Sequence, residues 1–143
     1  MLTVRITRRD PRAQLPGYQT EGAAAFDFAI LDDAVVAPRG HALLGTGLVI
    51  AVPADHLLHV YARSSLFKKH GLLLANGVGV VDADYCGPDD EVMISVWNPG
   101  EREVRVEAGT RVAQGIILAR PRVQWVEADA SGSTRGGFGS TGR

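Results

Sequence analysis

The chain has 143 residues, enough for one domain with a packed core, and its 45% apolar and 22% charged residues are those of a soluble globular protein. A formal net charge of −1 supplies no global basic field for long nucleic acid, although a small anion needs only a local cluster. No apolar run approaches the ~20 residues of a membrane helix, MLTVRITRRDPR lacks the apolar stretch of a secretory signal, and the lone Cys86 cannot pair within the chain, so a cytoplasmic setting without membrane or nucleic acid is expected.

In chain order, LTVRIT (2–7) alternates Leu2, Val4 and Ile6 with polar residues, the period of a half-buried strand. AAFDFAI (24–30), HALLGTGLVIAV (41–52) and LLHVYAR (57–63) follow as strand candidates rich in β-branched and aromatic residues. SSLFKKH (64–70) is the only helical stretch, with Ser64 or Ser65 as cap and Gly71 as stop. EVMISVW (91–97) puts Val92, Ile94 and Val96 on one face, EVRVEAG (103–109) does the same with Val104 and Val106, and RVAQGIILA (111–119) and VQWVEA (123–128) complete the series. Turn signals lie between them at Pro38-Arg39-Gly40, Pro53-Ala54-Asp55, Asn98-Pro99-Gly100 and Ala108-Gly109. Many short strands with frequent turns predict an all-β barrel or sandwich over 1–128. The apolar pattern stops near Ala128, and 129–143 reads as a flexible Gly-rich arm.

Five segments exceed what a plain β domain needs. Asp27 sits inside the apolar AAAFDFAI (23–30); it is either a strand-end carboxylate satisfied by backbone amides or a charge placed near a metal–phosphate complex. In YARSSLFKKHG (61–71), Arg63, Ser64 and Ser65 gather a guanidinium, two hydroxyls and free helix amides at one point, a sensible phosphate cradle or an ordinary cap with a surface arginine. In NGVGVVDADYCG (76–87), a glycine-stripped hairpin can approach a planar base closely, the Asn76 amide offers both a donor and an acceptor, and Asp82 could deprotonate a water; the plainer reading is a tight turn with acidic tips. Gln114 lies in an apolar strand, where its amide must find a partner in backbone or ligand. The tail STRGGFGSTGR could order over a ligand, with Arg135, Ser140 and Thr141 on phosphate and Phe138 stacked on a base, or remain a disordered terminus.

Taken in order, AAAFDF, ARSSL, NGVGVVDADYCG, RVAQ and RGGFGSTG resemble the five motifs of the trimeric dUTPase family, over most of the chain from about Asp27. The resemblance implies a jelly-roll-like, distorted β-barrel subunit of a homotrimer, with three active sites at subunit interfaces and the arm of one chain closing over a site built by the other two. It implies hydrolysis of dUTP to dUMP and pyrophosphate, which keeps uracil out of DNA and supplies dUMP for thymidylate synthesis. By resemblance, Asp82 activates the attacking water, and Mg2+ bridges the phosphates, with Asp27 reaching it through water. Arg63, Ser64, Ser65 and Gln114 hold phosphate oxygens. The segment from Asn76 through Gly79 and Val81 reads uracil, and Tyr85 packs under the sugar and refuses a 2′-hydroxyl. Arg135, Phe138, Gly139, Ser140 and Thr141 act from the arm.

Three positions depart from the family pattern. Ala25 stands where a glycine is usual, Pro88-Asp89-Asp90 intervenes between Gly87 and the next strand, and Arg135 lies closer to Phe138 than usual. The related dCTP deaminases share the Arg-Ser-Ser element but place a glutamate in the strand after the hairpin, where this chain reads MISVWN without an acid. A bifunctional enzyme and a trimer that binds nucleotide without catalysis are the remaining alternatives.

Overall fold

Alternating apolar residues and the turns between them build eleven strands and one five-residue helix among the residues that the computed structural model describes, 2–134 and 136. Every strand pairing is antiparallel. β1 (Arg5–Arg8) pairs with β5 (Leu48–Ala51), and β3 (Ala34–Val36) with β10 (Val104–Val106). β4 (His41–Gly45), β9 (Met93–Trp97) and β7 (Leu73–Leu74) form a three-stranded sheet. β2 (Phe26–Ala29), β11 (Arg111–Ala119), β6 (His56–Ala62) and β8 (Gly79–Val81) lie in that order in a fourth sheet. The all-β expectation holds, with open sheets in place of a closed barrel among the described residues.

The period-two pattern maps onto burial. In β9 and the residue before it, Val92, Ile94 and Val96 are buried while Met93 and Trp97 are exposed. These valines and isoleucine join Phe28, Leu48, Leu58, Leu72 and Val112 in one core. Helix α1 (Leu66–His70) is anchored by the buried Leu66, starts at Ser65 and stops at Gly71, whose φ of 67° is left-handed. The capping expectation is met in position only, because the Ser65 side chain makes no capping hydrogen bond.

Three expectations need correction. HALLGTGLVIAV is two strands, β4 and β5, in different sheets; the chain breaks at Thr46, whose buried hydroxyl donates to the Val92 carbonyl at 2.7 Å. VQWVEA forms no strand, and Val123, Trp125 and Val126 are 68%, 90% and 78% exposed. Its alternation marks an apolar face, but a strand also needs a ladder partner, and this chain offers it none among the described residues. The segment 76–87 is not a two-stranded hairpin: β7 before it pairs with β9, whereas β8 within it pairs with β6, so the turn at Asn76-Gly77 carries the chain from one sheet to another.

Candidate active site

The four-stranded sheet gathers three of the motifs. Its register sets Gln114 of β11 between Asp27 of β2 and Tyr61 of β6. β6 ends at Ala62, so Arg63, Ser64 and Ser65 emerge beside the same point. The Gln114 Nε2 donates to the Ala62 carbonyl at 2.9 Å, which satisfies the amide from neighbouring backbone.

Asp27 is the buried charge of this cluster, 8% exposed within a fully buried strand. It is held by guanidinium groups. Arg63 Nε stands 2.9 Å from Oδ1 and Arg111 Nη1 stands 3.5 Å from Oδ2, which accepts no hydrogen bond. Arg63 Nη1 also donates to the Arg111 carbonyl at 3.1 Å, and Arg111 bonds the Gln19 side chain. The isolated burial of such a carboxylate would be costly, and two cations offset that cost. Arg111 and Gln19 were missed in the sequence reading. The signal for Arg111 was its place at the head of RVAQ, but its partner in space, Asp27, is distant in sequence and only the β2–β11 register joins them.

The cluster offers a metal little. Among the described residues no three His, Cys, Asp or Glu side chains converge on one point, and Asp27 is the one carboxylate near Arg63 and Gln114. Asp27 Oδ2 is buried and lies beside Arg111, so a hard cation would fit here only through water and through oxygens that a substrate brings.

The base-reading candidates lie elsewhere on the sheet. β8 is its edge strand, with Val81 opposite Leu58 and Gly79 opposite Val60. Asn76, Asp82 and Tyr85 are exposed. Gly77 at the turn has a φ of 68°, which a side chain would strain. The Tyr85 N–H donates to the Asp82 carbonyl at 3.2 Å, and the Tyr85 hydroxyl to the Glu91 carbonyl at 3.0 Å. Asp82 faces a cavity of about 710 Å3 that it shares with Arg5, Asp84, Cys86, Arg120 and Arg122.

The register separates the two clusters. Continued one residue past Val81, the register sets Asp82 opposite Leu57, while Arg63 lies six residues on, just past the end of β6. At 3.2–3.4 Å per residue, that is ~20 Å within one chain. Asn76, by contrast, lies toward the Arg63 end.

Arg135, Phe138, Gly139, Ser140 and Thr141 lie outside the described residues. Away from the clusters, a side-chain hydrogen bond from Arg12 holds the Asp10 carboxyl below its ordinary range, and one from His56 does the same for Asp55.

Residues 11–142 match the family model for dUTPase. The chain belongs to the dUTPase family. It is 42% identical to the deoxyuridine 5′-triphosphate nucleotidohydrolase of Klebsiella pneumoniae, over 94% of this chain and 93% of the relative. Identity to the enzyme of the same name from Wolinella succinogenes is 35%, over 99% and 95%. The solved dUTPase of Streptococcus mutans superposes with a TM-score of 0.78 at 27% identity, covering 85% of this chain and 98% of that one. A Staphylococcus bacteriophage 80alpha dUTPase with dUPNHPP shares the fold, with a TM-score of 0.83 at 23% identity over 99% of each chain.

Proposed function

We propose that this chain hydrolyses dUTP to dUMP and pyrophosphate at sites shared between three copies. In each, Asp82 of one chain faces Arg63, Ser64, Ser65 and Gln114 of another, and the arm of the third closes the site. The observation that carries this reading is the β6–β8 register, which sets Asp82 toward the start of β6 and Arg63 just past its end, a separation of ~20 Å at the usual rise of a strand. This separation favours a base and a phosphate cradle drawn from neighbouring chains.

The apolar surface supports self-association. Trp125, Val123 and Val126 project into solvent, and Leu2, Val4, Ile6, Leu15, Tyr18 and Ile117 line an open groove of about 460 Å3. Apolar side chains exposed in this way would be sheltered by contact with another chain.

In the reaction, backbone groups from Asn76 to Val81, including Gly79, read uracil, and cytosine would leave their donors and acceptors unpaired. Tyr85 packs against the deoxyribose. Asp82 accepts a proton from a water whose oxygen attacks the α-phosphorus, and the bond from that phosphorus to the β-phosphate oxygen breaks as pyrophosphate leaves. The ion pair with Asp27 fixes the Arg63 guanidinium before substrate arrives, so little reorganisation remains at the moment of reaction. Gln114 lies in the same row. Asp27 would hold Mg2+ only through water, and the ion would supply charge neutralisation at the phosphates. Arg135, Ser140, Thr141 and Gly139 add phosphate contacts from the arm, and Phe138 stacks on the base. The chain acts in the cytoplasm, in keeping with its single, exposed and unpaired Cys86.

The test is pyrophosphate release from dUTP, dCTP, dTTP and UTP, each with and without Mg2+. Release from dUTP alone, raised by Mg2+, is expected. Comparable release from dCTP or UTP, or ammonia from dCTP, overturns the reading.

A further inference from the structure

The three residues Pro88-Asp89-Asp90, which interrupt the family pattern, belong to a clamp that ends on the Tyr85 hydroxyl. That hydroxyl donates to the Glu91 carbonyl at 3.0 Å. Glu91 is itself held at three points. Its N–H donates to the Asp89 carbonyl at 2.9 Å, its Oε1 accepts from the Gly47 N–H at 2.7 Å, and its Oε2 accepts from Arg9 Nη1 at 3.2 Å. The Arg9 N–H donates to the Gly47 carbonyl at 2.8 Å, so Arg9, Gly47 and Glu91 close a ring of three hydrogen bonds. Arg9 Nη2 reaches Asp89 of the extra segment at 2.9 Å, and the Asp90 carboxylate turns that segment back by accepting from the Gly87 N–H at 2.7 Å. Gly45 leaves the space: a Cβ there would stand 2.7 Å from Glu91 Oε1.

Little of this serves the core. Tyr85 is 40% exposed and the Asp89 side chain 89% exposed, and exposed ion pairs contribute little to stability. The Glu91 carboxylate, 18% exposed, is the sheltered centre of the clamp. A tyrosine as open as Tyr85 samples several side-chain rotamers unless something fixes its tip. Here the tip bonds a carbonyl whose own residue is tied to two other parts of the fold.

We propose that Arg9 and Glu91, extended by Asp89, are positioning residues that hold the Tyr85 ring where it excludes a 2′-hydroxyl. This rests on the role given to Tyr85 at the sugar. The extra segment then has a purpose: it gives Arg9 a second anchor and sets the Glu91 carbonyl over the phenol.

The experiment compares kcat/KM for dUTP and UTP in the full chain and in Arg9→Ala, Tyr85→Phe, their double variant, Arg9→Lys and Tyr85→Ala. Arg9→Ala and Tyr85→Phe should each lower the preference for dUTP about three- to tenfold, the range that one neutral hydrogen bond commands. The double variant should lower it no further, because both changes cut one chain of contacts. Arg9→Lys should restore most of the preference. Equal loss on both substrates in Arg9→Ala, or additive effects in the double variant, overturns the clamp. So does an unchanged preference in both single variants while Tyr85→Ala shifts it, which leaves the sugar gate standing. If Tyr85→Ala itself leaves the preference unchanged, the gate falls and the clamp with it.

Discussion

The two halves of the proposed site are built on opposite principles. The phosphate cradle is fixed in advance. Asp27 is buried, Arg63 is paired to it, and Gln114 is bonded to the backbone of β6. The base-reading segment is open, with Asn76, Asp82 and Tyr85 exposed and a glycine turn between two sheets. Holding a triphosphate requires charge that does not reorganise, and a sheet register supplies it. Reading a base edge requires backbone that a ligand can approach, and an edge strand supplies that. The same register that builds the first half keeps it ~20 Å from the second.

The comparison can be broken at either half, and the largest effect is expected in the open one. Asp82→Asn should reduce kcat by about 10²–10⁴, the usual worth of a general base, with dUTP affinity within about threefold of the unaltered chain. Single-turnover kinetics and equilibrium binding would separate the two, and an unchanged kcat removes Asp82 from its role. Ending the chain after Ala130 should lower kcat/KM by about 10–100-fold, the range expected for one lost base–aromatic stack, while thermal unfolding is unchanged. Full activity would make the arm dispensable.

In the fixed half, Arg63→Ala should lower kcat/KM by about 10–100-fold through a lost charge-assisted contact. A rise in KM without loss of kcat would show that the contact is no stronger in the transition state than in the ground state. Asp27→Ala should cost about 1–2 kcal/mol of stability, because it leaves two part-exposed guanidinium groups, which water can solvate, without their anion. Urea unfolding reads this, and a midpoint that does not move would show that the pair is not structural. No comparable loss is expected from Asn76→Ala, since Asn76 is exposed and its consequence lies in KM for dUTP.

Much of the fold was legible where a strand carried its own period. RVAQGIILA is β11 to the residue, and the buried face of β9 follows the alternation of Val92, Ile94 and Val96. Strands of two or three residues such as β3, β7 and β8 are too short to show a period. VQWVEA shows one, but an alternating pattern says which face is apolar and not what covers it. In the candidate site, residue types were legible and pairings were not. Asp27 reads as a carboxylate awaiting backbone amides or a metal, and its partnership with Arg63 and Arg111 exists only because β2, β11 and β6 lie side by side. Pro88-Asp89-Asp90 was unreadable for the same reason: its anchor, Arg9, lies 80 residues from Asp89 in the sequence.

Complementation tests the sharing of the site most directly. Chains carrying Asp82→Asn and chains carrying Arg63→Ala, each impaired alone, are co-expressed with different tags and purified through both. If base and cradle come from different chains, the mixed assemblies should recover about a third of full pyrophosphate release from dUTP, since one interface in three joins an intact Asp82 to an intact Arg63. Mixed assemblies no more active than either variant alone would contradict a site built between chains.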